Sequence, residues 1–234
     1  MHISLPPRFN FSDFRRVSPI DASTVWQVLI ERNAERVPVK RAEVARENLR
    51  RIVESTFRLA NKAGFGAMTL RDLSRETGLS MGGLYGYITS KDDLASMIED
   101  MIRHVAGTLP LWLADHGETP AERLDALIRG HVFACELLQP WFYFVFMESR
   151  TLSSAQRTVA KGAELGMHDA LTRLVADAGV SDAARAQLVA ANAQTLIQDW
   201  YVKRWKYKQM KVTVDQFADG ISGLVRGGLA HPGD

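Results

Sequence analysis

An all-α fold is predicted by three observations: apolar stripes of helical period, polar start signals just ahead of them, and no alternating strand-like segments joined by Asn-Gly or Asp-Gly turns. Leu49, Ile52, Val53, Thr56, Phe57 and Ala60 recur at i, i+3, i+4, i+7, i+8 and i+11, one face of a helix that Gly64 ends. Leu94, Met97, Ile98, Met101, Ile102 and Val105 repeat the pattern, as do Leu124, Leu127, Ile128, His131, Cys135 and Leu138, and again Phe217, Ile221, Leu224 and Val225. Start signals pair a hydroxyl with an acceptor three residues on, so that each can satisfy an orphan amide: Thr69 with Asp72, Ser90 with Asp93, Thr119 with Glu122, Ser153 with Gln156, Thr213 with Gln216. Pro120 takes the favoured first helical position. Together these predict about nine or ten helices without internal repeats.

In chain order, residues 1–39 form an N-terminal arm. Pro6, Pro7 and Pro19 punctuate residues 1–19, which read as irregular. Residues 21–36 predict a short helix with Val25, Trp26, Leu29 and Ile30 on one face. Between Thr69 and Leu94 come two short helices, Leu70 to Thr77 and Met81 to Ile88, joined by Gly78-Leu79-Ser80. Two short helices about a glycine-containing three-residue turn form a helix-turn-helix. Gly78 can take the left-handed conformation that ends the first helix and Ser80 can cap the second. Leu70, Leu73, Leu79 and Leu84 are spaced to pack the pair inward, leaving Met81 to Tyr87 to face a major groove, whose width admits one α-helix.

The chain has 234 residues, 46% hydrophobic and 24% charged, enough for a sizeable core and unlike a disordered or low-complexity segment. Lys and Arg number 29 against 27 Asp and Glu, a formal +2 that argues for no nucleic-acid partner. The average hides a segregation: residues 40–91 carry ten basic and five acidic residues, net +5, and the remainder is net −3. Phosphate attraction is the sequence-independent part of DNA affinity, so the basic lobe is expected to touch the duplex. Arg8, Arg15 and Arg16 could reach a minor groove or belong to a solvated tail.

One cysteine, Cys135, excludes an intrachain disulfide and fits a reducing compartment. The longest apolar run, Trp141 to Met147, has seven residues against the roughly 20 that span a bilayer, and no secretory signal opens the chain. A cytoplasmic protein without membrane contact is therefore expected. There is no His-Glu-x-x-His, no phosphate loop with lysine and no Gly-x-Ser-x-Gly elbow, so no catalytic residue, metal ligand or cofactor is assigned.

The stretch Phe57-x-x-Ala60-x-x-x-Gly64-Phe65-x-x-Met68-Thr69-Leu70-Arg71-Asp72-Leu73-Ser74-x-x-x-Gly78-Leu79-Ser80-x-Gly82-x-Leu84-Tyr85-x-Tyr87-Ile88-x-Ser90-Lys91-x-x-Leu94 resembles the DNA-binding domain of the tetracycline-repressor (TetR) family. The resemblance implies a three-helix DNA-binding domain at 40–91 and a larger helical bundle at 92–234 for ligand binding and dimerisation. It implies a homodimer on a near-palindromic double-stranded operator, and repression relieved by a small molecule. Carried over by position, Thr69 and Arg71 open the helix crossing the backbone, the Thr69 hydroxyl meeting phosphate. Ser80, Met81, Gly82 and Gly83 begin the recognition helix, Tyr85 and Tyr87 contact a phosphate or thymine methyl, and Lys91 pairs with phosphate. Gly83, Gly86 and Ile88 depart from the family pattern, and each glycine softens the helix by roughly 0.5 to 1 kcal/mol relative to Ala.

The same resemblance places a pocket among Phe133, Cys135, Trp141, Phe142, Tyr143, Phe146, Met147, Gln198 and Trp200, for a hydrophobic ligand of aromatic or acyl character. The run Trp141 to Met147 is apolar all round, so it is expected away from the surface. Gln198 to Trp205 looks like the penultimate helix of family members that respond to fatty acyl-CoA. Its basic neighbours Lys203, Arg204, Lys206, Lys208 and Lys211 could receive phosphates or form a solvated face. A helical small-molecule carrier, or an interaction protein that ignores DNA, remains the alternative.

Overall fold

The computed structural model describes residues 5–21, 23–35, 42–148 and 154–230, and among them twelve α-helices and no strand. They are α1 Phe11–Val17, α2 Thr24–Arg32, α3 Ala42–Ala63, α4 Leu70–Thr77, α5 Met81–Tyr85, α6 Lys91–Trp112, α7 Pro120–Leu137, α8 Gln139–Glu148, α9 Ser154–Asp177, α10 Ala183–Val202, α11 Arg204–Gln209 and α12 Val214–Ala230. The count exceeds the nine or ten expected because α1 forms within the arm and because Lys203, at φ −114° and ψ 37°, breaks one long helix into α10 and α11. The reciprocal caps form as expected at Thr69, Thr119 and Thr213. At Ser90 the hydroxyl accepts from the Asp93 amide at 3.0 Å, but the Asp93 carboxylate turns to the Thr89 amide instead. Ser153 lies outside the described residues.

The chain divides into two compact units. The first comprises Ala22–His104 and Pro140–Lys161. Its spine is α3, whose stripe of Leu49, Ile52, Val53, Phe57 and Ala60 is buried as the periodicity requires. On α2, Val25, Trp26, Leu29 and Ile30 are buried, as expected, and Arg32 fastens that helix to Asp100 of α6 by two bonds, the longer 2.8 Å. Helix α8 completes the core with Trp141 against Phe57 and Trp26, at ring distances of 5.4 and 5.3 Å, and Phe144 against Phe57 and Phe65, at 5.5 and 5.1 Å. Full burial of an aromatic side chain of this kind contributes roughly 1.5–3 kcal/mol.

The second unit comprises Met1–Asp21, Val105–Gln139 and Gly162–Asp234. Helices α7, α10 and α12 pack on one another, and α1 packs on α7. Within residues 1–19, expected to be irregular, the described part therefore contains a helix, α1. Asn10 and Asp13 form a reciprocal cap on α1, and Phe9 and Phe14 are buried against Phe133 at 5.9 and 5.7 Å, with Trp112 at 5.5 Å from Phe14. Of the arm's arginines, Arg8 pairs with Asp219 at 2.9 Å and Arg16 with Asp13 at 3.0 Å, which corrects the expectation of a free tail for these two, while Arg15 is exposed. No described helix is long and apolar enough to cross a membrane.

Candidate nucleic-acid interface and effector residues

Hydrogen bonds from side chains to the backbone fix the helix-turn-helix. Gly78 ends α4 at φ +70°, a left-handed conformation that a side chain would strain. Arg51 of α3 donates to the Thr77 carbonyl beside it. Ser74 Oγ donates to the Leu79 carbonyl at 2.6 Å and Thr77 Oγ1 accepts from the Leu79 amide at 3.3 Å, so the turn is held from both sides. Ser80 then caps α5, accepting from the Gly83 amide at 3.1 Å. The recognition helix ends at Tyr85, earlier than the expected Ile88. At Gly86 the backbone tightens, and the Tyr87 and Ile88 amides both turn to the Leu84 carbonyl, at 2.9 and 3.1 Å.

This scaffold leaves Thr69, Arg71, Ser80, Gly82 and Tyr85 exposed, Tyr85 at 52%, with Met81, Gly83, Tyr87 and Lys91 half-buried beside them. Two expected phosphate donors are occupied. The Thr69 hydroxyl accepts from the Asp72 amide in the capping box and also gives its proton to the Asp72 carboxylate at 2.6 Å, so that proton does not stand free for phosphate. Lys91 Nζ donates to the Gly66 carbonyl at 2.9 Å and sits 5.0 Å from the Phe65 ring centroid, and burial lowers its pKa. An ammonium has three protons, so Lys91 keeps others for a phosphate.

Four of the lobe's ten basic residues are locally balanced. Arg46 pairs with Glu43, Arg50 with Glu47 and Glu54, Arg58 with Glu76 and Arg75 with Asp72. Exposed pairs of this kind are worth little, so a phosphate can compete for the arginines. Arg71 and Lys62 are exposed and carry no such pairing among the described residues, while Lys40 and Arg41 lie outside them. Sequence reasoning missed Asn48 and Arg51. Both act on residues tens of positions away, and no local pattern announces such a contact.

The residues expected to line an effector pocket fall into both units. In the second, Phe133, Cys135 and Trp200 are fully buried in close packing: Phe133 meets Phe9, Phe11 and Phe14, and Trp200 gives its indole N–H to Glu136 at 2.9 Å. Gln198 donates to Glu164 at 2.9 Å. Burial, then the charge of Glu136, raises the Cys135 thiol well above its ordinary value, which keeps it protonated. In the first unit Trp141 and Phe142 are buried and Tyr143 is half-buried, whereas Phe146 and Met147 are 44% and 48% exposed. The expectation that the whole run avoids the surface is thereby corrected, since one face of α8 suffices to fill that core. The hollow beside it, lined by Phe57, Asn61, Tyr143, Phe144, Met147 and Glu148, has about 10 Å³ of free space, room for one water at most.

The basic run at α11 is likewise mostly self-neutralised. Arg204 binds Glu136 through two nitrogens at 2.9 Å and lies 4.3 Å from the Trp200 ring centroid. Lys203, Lys206 and Tyr207 converge on Asp199, and although burial alone would raise that carboxyl, their hydrogen bonds hold it well below the usual range.

Residues 52–98 match the family model of bacterial regulatory proteins of the tetR family. The matched segment runs from α3 into α6 and contains the whole helix-turn-helix. A tetR-family regulatory protein from Rhodococcus RHA1 is similar in fold over 80% of this chain and 98% of its own, with a TM-score of 0.68 and 16% identity. The transcriptional regulator FadR from Bacillus subtilis, solved with stearoyl-CoA, matches over 76% and 97% with a TM-score of 0.59 and 15% identity. AibR, solved with isovaleryl coenzyme A and operator DNA, matches over 76% and 97% with a TM-score of 0.63 and 20% identity. At these identities the likeness is one of fold. No curated protein matches the sequence.

Proposed function

We propose that this chain is a tetR-family regulator, a cytoplasmic, ligand-responsive repressor that binds a palindromic DNA operator as a homodimer and leaves it on binding a hydrophobic small molecule. The observation that carries the reading is the capped turn around Gly78, which holds the N-terminal face of α5 outward with Ser80, Gly82, Tyr85 and Arg71 in the open, Arg71 having no ion pair among the described residues. Arg71, Tyr87 and Lys91 supply phosphate contacts, while Met81 and Tyr85 meet base edges and thymine methyls. The glycines at 82 and 83 let the helix backbone approach closely, so DNA shape contributes to the choice of operator. The division at 40–91 and 92–234 assigns reading to the former and sensing and dimerisation to the latter.

Dimerisation is assigned to α10 and α12, where Leu188 and Leu224 stand 61% and 66% exposed beside the small residues Ala184, Gly220, Gly223 and Gly227. Such a face suits close approach of a second copy, and twofold symmetry then matches a twofold operator. The effector is proposed to be acyl or aromatic, its candidate contacts being Phe133, Cys135, Gln198 and Trp200 in the second unit and, as a separate group, Trp141, Phe142, Tyr143, Phe146 and Met147 in the first. An acyl-CoA is favoured by two facts: the similar folds of FadR and AibR were solved with acyl-CoA ligands, and Lys208 and Lys211 are exposed without an ion-pair partner among the described residues. A mobility shift with DNA flanking the chain's own gene tests the reading, with long-chain acyl-CoA as the releasing ligand. Retarded DNA freed by acyl-CoA is the expected result. Indifference to that DNA, together with no palindrome recovered by genomic selection, would overturn the regulator reading, and titration with acyl-CoA that gives no heat and no release would remove the ligand assignment.

A further inference from the structure

Two residues one helical turn apart on α3 hold opposite ends of the reading element. Arg51 donates to the Thr77 carbonyl at the end of α4, and Asn48 Nδ2 donates to the Tyr87 hydroxyl oxygen, 2.9 Å away, just past the end of α5. The five-residue α5 contains two glycines and leads into a third, so its own backbone resists rotation weakly. The anchors at both flanks supply the restraint that the helix lacks.

The Asn48 bond has a chemical consequence. A tyrosine hydroxyl has one proton and can accept through its oxygen, whereas an amide nitrogen only donates. With Asn48 donating, the Tyr87 oxygen serves as acceptor toward the protein, and its proton is left for an acceptor outside it. The acceptor that a DNA backbone offers is a phosphate oxygen, and hydrogen bonds to a charged acceptor are the strong ones.

We infer that Asn48 is a positioning residue for DNA binding, turning the Tyr87 hydroxyl so that its proton points to a backbone phosphate. The inference rests on the DNA-binding reading above. Asn48 itself touches no DNA in this arrangement and acts only through Tyr87.

The test is a double-mutant cycle on the full-length chain, read by fluorescence anisotropy with a labelled mixed-sequence DNA duplex, because phosphate contacts do not depend on sequence. Tyr87→Phe and Asn48→Ala should each weaken binding by about tenfold, and the double variant should bind no worse than either. The salt dependence should stay that of the wild type, since no charge is removed. Asn48→Asp should fall below Asn48→Ala, because a carboxylate takes the hydroxyl proton for itself. Asn48→Ser replaces Asn48→Ala in the cycle if the alanine variant does not fold. Losses that multiply in the double variant, or wild-type affinity in Asn48→Ala, overturn the inference while leaving the DNA reading intact. A wild-type chain that ignores the duplex at low salt overturns both.

Discussion

Arg129 Nε donates to Asp125 Oδ2 at 2.7 Å from a side chain that is almost wholly buried in α7. The other arm of the guanidinium donates to Asp219 of α12, which also receives Arg8 from the arm. Burial alone would lower the pKa of Arg129, and the hydrogen bonds to Asp219 and Asp125 reverse that, so the charge is retained inside. Removing the cation leaves two carboxylates facing each other's side of the α7–α12 contact. Arg129→Ala is therefore expected to cost about 3 kcal/mol, read as a lowered urea midpoint. A change below experimental scatter would show that the network contributes no net stability.

Two buried groups move stability with pH in opposite senses. Burial pushes the Glu99 carboxyl of the first unit up to about 7. The folded chain then holds a proton that the unfolded chain has lost, so stability falls as pH rises from the ordinary carboxylate range through about 7. Burial pushes the His131 imidazole of the second unit down to about 4. Here the unfolded chain gains a proton first, so stability is full above the ordinary histidine value and falls as pH drops from there toward about 4. Thermal melts across this range should show Glu99→Gln flattening the neutral limb and His131→Gln the acid limb. Variants that retain the wild-type pH profile would contradict both assignments.

Around the turn, small substitutions separate by sign. Ser80→Ala removes the α5 cap and should cost about 1 kcal/mol. At Gly82 a methyl would meet nothing within 4 Å, so Gly82→Ala should stabilise by about 0.5 kcal/mol. Gly78→Ala forces a side chain into a left-handed backbone and against Arg51, and should cost about 1–2 kcal/mol. Denaturant melts of the three variants give the ranking, and a stabilising Gly78→Ala is the result incompatible with this turn.

Salt titration distinguishes the charged from the uncharged DNA contacts. Arg71→Ala and Lys91→Ala should each lower the slope of log affinity against log salt by about one unit. Tyr85→Ala should weaken binding across sequences at unchanged slope. If neither cation alters the slope, the orientation proposed for α4 and α5 on the duplex is untenable.

The helices of the reading segment were legible because their information is local: the stripe from Leu49 to Ala60, the Thr69–Asp72 cap and the glycine turn each span only a few residues. Helix α1 was not, since seven residues between prolines carry no period, and what orders them is Phe133 and Trp112, more than a hundred or nearly a hundred positions away. The same limit applies to the site. Residue types at Thr69 and Lys91 suggested free phosphate donors, but whether a donor is free depends on Asp72 and Gly66, and only the fold states that. Helix α8 misled in another way. Seven consecutive apolar residues imply burial all round, yet the core has room for one face, and Phe146 and Met147 remain outside it.

The seating of Trp141 and Phe144 on Phe57 and Phe65 bears on exchange of parts between regulators. The first stretch of the helix-turn-helix unit stops at His104, within α6, but the aromatic core of that unit is closed by residues encoded after the intervening α7. A hybrid gene spliced at that boundary would inherit a foreign α8 opposite Phe57 and Phe65. Recombination that preserves the fold must carry Pro140 to Glu148 along with the helix-turn-helix, so in this chain two stretches separated by α7 are inherited as a single block.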